Sequence, residues 1–267
     1  MPPRRAAAPT IGRVSLAPEV YLYLGLVVFV AAFLNGAAGY GFAVVAVAGF
    51  AFVLDPKVGI IVMSLITPIL TTSQLRRHWP FRGITTRLRA LLGAALVGSA
   101  VGTQFLIVLP SFVLSIFLGL FALWYAVSAI RRGPMHLAPE RERVAAPGVG
   151  FIAGIVNGTV GASGPVLGSY LLAIGLKGRE WVFAISIVFW SMSFVRITTL
   201  AIAGQYRPEI VLLGFALAGP AYVAQAGGFA VQTRFSPEAF QRVVLLILLV
   251  ASANLLWRGF GQVIAAL

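Results

Sequence analysis

No cysteine occurs among the 267 residues, which excludes disulfides, a thiol nucleophile and thiolate metal sites. Charge is scarce as well. Only 10% of residues are charged and 60% are apolar, whereas about a quarter of a soluble domain is charged. Too few polar side chains exist to cover a water-facing surface, so an ordinary soluble domain is excluded. Acidic residues are rarest, seven against 20 Lys and Arg. Asp55, Glu180, Glu209 and Glu238 flank apolar runs or cap them, and His78 and His136 fall in connecting loops. No Asp, Glu or His falls in the middle of a long apolar run, so a side chain carrying a proton across lipid is not expected. No P-loop, HExxH or GxGxxG motif is present. No enzyme chemistry, metal or cofactor is expected.

Long apolar runs are abundant. Residues 88–109, 112–130, 181–203, 210–231 and 243–257 are near the 20 or so needed to cross about 30 Å of hydrocarbon. They do not alternate as barrel strands would, so the fold class is an all-α polytopic membrane protein. The net charge of +13 does not signal nucleic acid. Arg76, Arg77, Arg82, Arg87 and Arg89 form one connecting cluster, and Arg131, Arg132, Arg141 and Arg143 form another. Loops of this kind are where cytoplasmic-side cations collect. The expected partners are the lipid bilayer and a small anionic solute, with self-association left open. The expected location is a bacterial inner membrane. The N-terminal arginines and apolar run resemble a signal peptide, but that run carries half of a duplicated motif and is read as mature structure.

The duplication is the most informative feature. Asn35-Gly36-Ala37-Ala38-Gly39-Tyr40-Gly41 and Asn157-Gly158-Thr159-Val160-Gly161-Ala162-Ser163-Gly164 are glycine-rich interruptions 122 positions apart (157 − 35). The same offset carries the turn at Asp55-Pro56-Lys57 onto Lys177-Gly178-Arg179, Ser64 onto Ser186 and Gln74 onto Arg196; an offset of 121 carries Gln104 onto Gln225. An ordered series of this kind points to two homologous repeats. The chain divides into a flexible tail (1–17), a first repeat (18–131), a hydrophilic linker (132–146), a second repeat (147–258) and a C-terminal tail (259–267). Each repeat holds about five helical segments, at 18–34, 41–54, 57–76, 85–108 and 111–131, then at 147–157, 164–176, 180–203, 208–232 and 237–258. The first two of each set are short for full spans and are read as broken or re-entrant half-helices that meet at the glycine motif. Unwound backbone at such depth must be buried in protein or line a cavity. Three full crossings per half would invert the second half relative to the first, the arrangement preferred here. A single crossing per pair would leave the halves parallel.

An N-G-x-x-G break with further glycines, its copy near mid-chain, Asp-Pro after the first break and the overall length resemble the TauE/SafE family of sulfite and organosulfur anion exporters. The resemblance covers residues 20 to 258. It implies a transporter of small anions such as sulfite, sulfoacetate or related sulfonates. The chain departs from the family where relatives run several glycines together and this one has Tyr40, which would narrow the pocket.

Interrupted segments at matching places in two halves are the strongest sequence pointer to a transporter's binding site. Helix N-termini at the breaks would offer free N–H groups and partial positive charge to an anion. Asn35, Gly36, Gly39, Tyr40, Gly41, Asn157, Gly158, Thr159, Gly161, Ser163 and Gly164 are therefore expected at a substrate site between the repeats. Close helix packing through small residues is the structural alternative. Arg196 is the one cation well inside an apolar run, and its fork suits sulfonate or carboxylate oxygens; snorkelling is its alternative. Its counterpart Gln74 and nearby Ser193 complete the candidate set. Gln104 and Gln225 read as buried interhelical amides. An alternating-access anion carrier is the preferred function, with an anion channel or a membrane subunit of a larger complex as rivals. Gly161-Ala162-Ser163-Gly164 also resembles the GxSG of rhomboid proteases, but a serine nucleophile needs a base, and neither histidine falls in a membrane helix.

Overall fold

A computed structural model describes residues 18–131, 137–232, 249–250 and 252–257. Among these, all regular structure is helical. The helices are α1 (Pro18–Ala38), α2 (Phe42–Phe50), α3 (Pro56–Arg77), α4 (Arg89–Val108), α5 (Ser111–Arg131), α6 (Pro139–Val160), α7 (Gly164–Ala173), α8 (Gly178–Ile202) and α9 (Pro208–Val231), with a 3-10 segment Trp79–Thr86 between α3 and α4. Among the described residues, α1, α3, α4, α6, α8 and α9 are long and apolar enough to cross a membrane. The tails expected at 1–17 and 259–267 lie outside the described residues, as does most of the helix expected at 237–258.

Three expectations need correction. The first helix of each half is full length, 21 residues in α1 and 22 in α6, or about 30 Å at 1.5 Å per residue. Only α2 and α7, of 9 and 10 residues, are half-helices. Residues 139–146, expected in the linker, form the first turns of α6. Pro139 suits the first helical position and Glu140 and Glu142 sit in the first turn, where the helix dipole favours negative charge. The helices also run past their expected ends at 34 and 157. Asn35, Gly36, Gly158 and Thr159, like Asn157, are therefore helical, and the two motifs leave the helix only at 39–41 and 161–163.

The short helix α2 doubles back along α1. The Tyr23 hydroxyl, near the start of α1, donates to the Gly49 carbonyl near the end of α2 at 3.1 Å. The return ends at Asp55, whose carboxylate caps α3 by accepting from Lys57 N at 2.9 Å and also accepts from the Ser111 hydroxyl at 3.0 Å. Capping of this kind removes one of the helix's free donors.

Two helix pairs are packed backbone to backbone. In α4 against α6, Cβ atoms added to Gly98, Gly102, Gly150, Gly154 or Gly158 would collide with main-chain atoms of the facing helix. In α1 against α9, Gly36 and Gly228 do the same. Small residues at four-residue spacing permit this approach where lipid supplies no hydrophobic drive. Each pair joins one helix from before residue 132 to one from after it. Gln225 is fully buried within this packing. Gln104 is exposed and makes no matching buried amide; the buried polar group on that turn of α4 is Thr103.

Candidate functional site

Both breaks follow one local plan. The carbonyl of Asn35 accepts from Gly39 N at 2.7 Å, and that of Asn157 accepts from Gly161 N at 2.8 Å. Gly39 (φ 84°) and Gly161 (φ 76°) are left-handed, the conformation in which a glycine commonly terminates a helix. A side chain 39 residues further on then reaches the same carbonyl. Gln74 Nε2 donates to Asn35 O at 3.3 Å, and Arg196 Nη1 donates to Asn157 O at 3.0 Å. Gln74 also donates to Asn35 Oδ1 at 3.0 Å and Gly39 O at 3.1 Å, and accepts from Ser186 at 2.7 Å. Cationic Arg196 at the end of α6 suits the negative pole of that helix.

Gln74 and Arg196 stand on α3 and α8, which run antiparallel. Near the end of α3, Gln74 meets Ser186 at the start of α8; near the start of α3, the Ser64 hydroxyl lies 2.7 Å from that of Tyr206, just beyond α8. Ser64, Thr67, Thr71, Gln74 and His78 follow one helical face of α3, and all are buried. Ser186, Ser193 and Arg196 repeat that spacing on α8 and are buried as well.

Between the two breaks lies a cavity of about 30 Å³, room for one or two waters. Asn35, Gly39, Gly41 and Gln74 line one side, Gly161, Ala162 and Gly164 the other, with Thr67, Thr71 and Phe189 between them. The first turn of α2 (Phe42, Ala43, Val44) also faces it. The first main-chain bond of α2 runs from Val45 N to Gly41 O, that of α7 from Leu167 N to Ser163 O, and neither helix has a side-chain cap. The amides ahead of those bonds, apart from Pro165, which has no N–H, are the free donors a helix start carries.

Arg196 is only 2% exposed, and its Nε makes no hydrogen bond. Among the described residues the single ion pair is Arg87–Glu142 at 2.6 Å, so the buried guanidinium has no carboxylate partner there. A Cβ on Gly161, in the cavity wall, would stand 3.0 Å from Arg196 Nη1. Close by, Asn157 Oδ1 is buried without a partner. Leaving such groups in low dielectric is costly unless something charged or polar meets them.

Six expected site residues line the cavity: Asn35, Gly39, Gly41, Gln74, Gly161 and Gly164. Arg196 and Asn157 stand immediately behind its wall. Ser163 is buried beside them and receives the Asn157 amide at 3.4 Å. The others have packing contacts. Gly36 and Gly158 lie against neighbouring main chain, and Thr159 donates to Gly102 O at 3.1 Å across the α4–α6 contact. The Ser193 hydroxyl bonds its own helix at Phe189 O, 2.7 Å away, as serine in a membrane helix often does. Tyr40 packs edge-on to Trp181, with ring centres 5.1 Å apart. Sequence reasoning missed Thr67 and Thr71, although their spacing from Gln74 placed them on its face. His78, expected in a solvated loop, is buried, with Nδ1 2.9 Å from Gln74 O. His136 lies outside the described residues. For a rhomboid-like reading, the partner of Ser163 is an asparagine amide and not a base.

Charged connectors are tied down at one end of α6. Arg87 makes a two-pronged bond to Glu142, at 2.8 and 2.6 Å, and reaches Ile174 O beyond α7 at 3.0 Å. This carboxylate contact holds the Arg87 guanidinium above its ordinary value, with burial opposing.

The model of the family described as "Sulfite exporter TauE/SafE" matches residues 24–255 of the chain. No curated protein and no solved structure matches it.

Proposed function

The chain belongs to the TauE/SafE family of membrane transporters, and on that premise we propose that it carries a small sulfite- or sulfonate-type anion, such as sulfoacetate, out of the cell. The observation that carries this reading is a buried guanidinium that has no carboxylate partner among the described residues, beside a cavity faced by two helix starts. Free first-turn amides and helix dipoles favour negative charge. Arg196 supplies a full charge to the same region, and its unbonded Nε is a donor left for an oxyanion. Asn35 and Gln74 form the neutral wall opposite. The bound anion in turn neutralises a charge that the fold leaves uncompensated.

The halves are read as repeats in inverted orientation. The antiparallel course of α3 and α8, which the 122-residue offset relates, supports this, as do the matched bonds at Asn35 and Asn157. The anion site lies between the repeats, and access alternates between the two faces of the membrane. A chamber of about 30 Å³ suits an occluded carrier better than an open pore. In a bacterial inner membrane, outward movement of one negative charge is driven by about 2.3 kcal/mol per 100 mV, so uniport or exchange needs no protonatable side chain.

The test is flux in liposomes together with thermal stabilisation by sulfite, sulfoacetate, taurine-like sulfonates, sulfate and carboxylates, since a ligand raises the stability of the state it binds. Saturable flux that follows the membrane potential is expected for a sulfonate or sulfite. Flux that depends strictly on a pH gradient and ignores voltage would overturn the proposed coupling, and absence of stabilisation by every anion would overturn the site.

A further inference from the structure

A second cavity, of about 520 Å³, opens between α3 and α9, a volume usual for small-molecule sites. Thr72, Ser73, Arg76, Arg77, Tyr222 and Gln225 supply its polar lining, and among the described residues no Asp or Glu lines it. Arg76 and Arg77 are exposed; neither belongs to the one ion pair among the described residues. Arg77 is steadied over the Phe229 ring, 4.9 Å from its centre, a cation–π contact that leaves its charge unneutralised. Thr72 is fixed by the Trp190 indole N–H at 3.0 Å.

The floor of this cleft is Gln225, which is fully buried. Its Nε2 donates to Asn35 Oδ1 at 2.8 Å and to Leu70 O at 3.1 Å, and its Oε1 accepts from the Ser73 hydroxyl. Asn35 in turn lines the small cavity between the breaks. One amide–amide hydrogen bond therefore joins the wall of a roomy cationic cleft to that of the small central chamber.

We propose that the α3–α9 cleft is an anion vestibule, in which Arg76 and Arg77 hold a small oxyanion next to the Gln225–Asn35 partition. This inference rests on the anion-carrier reading and adds a site outside the central one. Guanidinium forks bind sulfonate or phosphate oxygens by charge-assisted hydrogen bonds, and a cleft lined by one sign of charge concentrates the opposite ion. Free oxyanions and anionic lipid headgroups share this chemistry; the geometry points to the free anion, because the cleft leads to Asn35 and the central chamber.

The chain has no cysteine, so Ala226→Cys, on the exposed wall of the cleft, creates a single reporter thiol. Its modification by anionic and cationic methanethiosulfonates is measured in nanodiscs of neutral phosphatidylcholine, with and without sulfoacetate. Relative to their rates with a free thiol in solution, the anionic reagent is expected to be favoured over the cationic one about tenfold, as two nearby unit charges dictate. Sulfoacetate should slow it, and Arg76→Gln with Arg77→Gln should abolish both effects. Equal rates for the two reagents on that normalised scale would overturn the proposal. So would protection by phosphatidylglycerol but not by sulfoacetate, which would assign the cleft to lipid. Protection lost in Arg196→Gln yet kept in the double arginine variant would place the anion at the central site and also overturn it. Protection that survives Arg196→Gln while transport fails supports the vestibule independently of the central site. Should Ala226→Cys fail to insert, Tyr222→Cys reports from the same wall with the same outcomes.

Discussion

Arg196 donates from Nη1 to the carbonyl oxygen of Asn157 at 3.0 Å, thirty-nine residues back along the chain. Gln74 makes the corresponding bond to Asn35, at 3.3 Å and the same separation. One break is thus closed by a neutral amide and the other by a cation, on otherwise matching frames. In the proposed anion site this asymmetry would set the sign: two neutral caps would leave only helix dipoles to attract an anion, and two cations would repel each other across a small chamber.

Arg196→Gln installs at the second break the residue type that already serves the first. A donor to Asn157 remains available and an uncompensated buried charge is removed, so insertion should be retained and the anion-free protein should be at least as stable. Stabilisation by sulfoacetate in thermal melts should fall at least about tenfold in apparent affinity. An unchanged response would leave Arg196 as a helix cap and nothing more.

Alanine at either left-handed glycine strains the backbone by about 1–2 kcal/mol. Gly39→Ala should cost more than Gly161→Ala, because its Cβ would stand 2.6 Å from Val182 Cγ2 while the other meets only Arg196 Nη1 at 3.0 Å. Detergent unfolding curves of the two variants, measured in parallel, give the order. Equal losses would show that the strain of positive φ dominates and that Val182 moves aside readily.

Gly154→Ala should be among the most damaging single-methyl changes, because its Cβ would collide with the main chain of α4 at Ala95 and Ser99. Backbone atoms yield less readily than side chains, and overpacking typically costs about 1–3 kcal/mol. Gly93→Ala on α4 and Gly219→Ala on α9 meet nothing within 4 Å. They should be neutral or stabilising by up to about 1 kcal/mol through helix propensity. Comparable melting temperatures for all three variants would contradict the backbone-contact reading of α4 and α6.

His78 closes the end of α3, outside the span. Burial lowers its pKa from 6.5; its bond with the Gln74 carbonyl opposes the shift, and Arg77 and Arg179 add to it. The folded protein therefore holds the imidazole neutral at a pH where the unfolded chain has begun to protonate it. Its contribution to stability is complete above about pH 6.5 and declines as pH falls through the depressed folded value. Melting temperature should drop on acidification below that point, and His78→Gln should flatten the drop. An identical pH profile in the variant would remove His78 from the account.

Much of the site was legible because its signals are local. A glycine pair inside an apolar run and Arg196 in a run with no other charge can each be read from consecutive residues. Less legible was the role of each residue. Asn35 and Asn157 look like break residues, yet both lie in the last helical turn, and their carbonyls carry the closing bonds. Gly36 and Gly158 belong to helix contacts, which their motif alone does not reveal. The start of α6 was obscured because a first helical turn tolerates Pro and Glu as readily as a linker does.

Sequence alone determined that the chain is helical, lies in a membrane and is interrupted at two glycine motifs, because hydropathy, run length and glycine placement are properties of consecutive residues. Only the tertiary structure decided that Asn35 faces Gln225 across 190 positions, that Gln104 points outward, and that both interruptions border one cavity. Those relations depend on which helix packs against which. In lipid that choice is made by close approach and hydrogen bonding between helices, since burial of apolar surface favours no one partner over another.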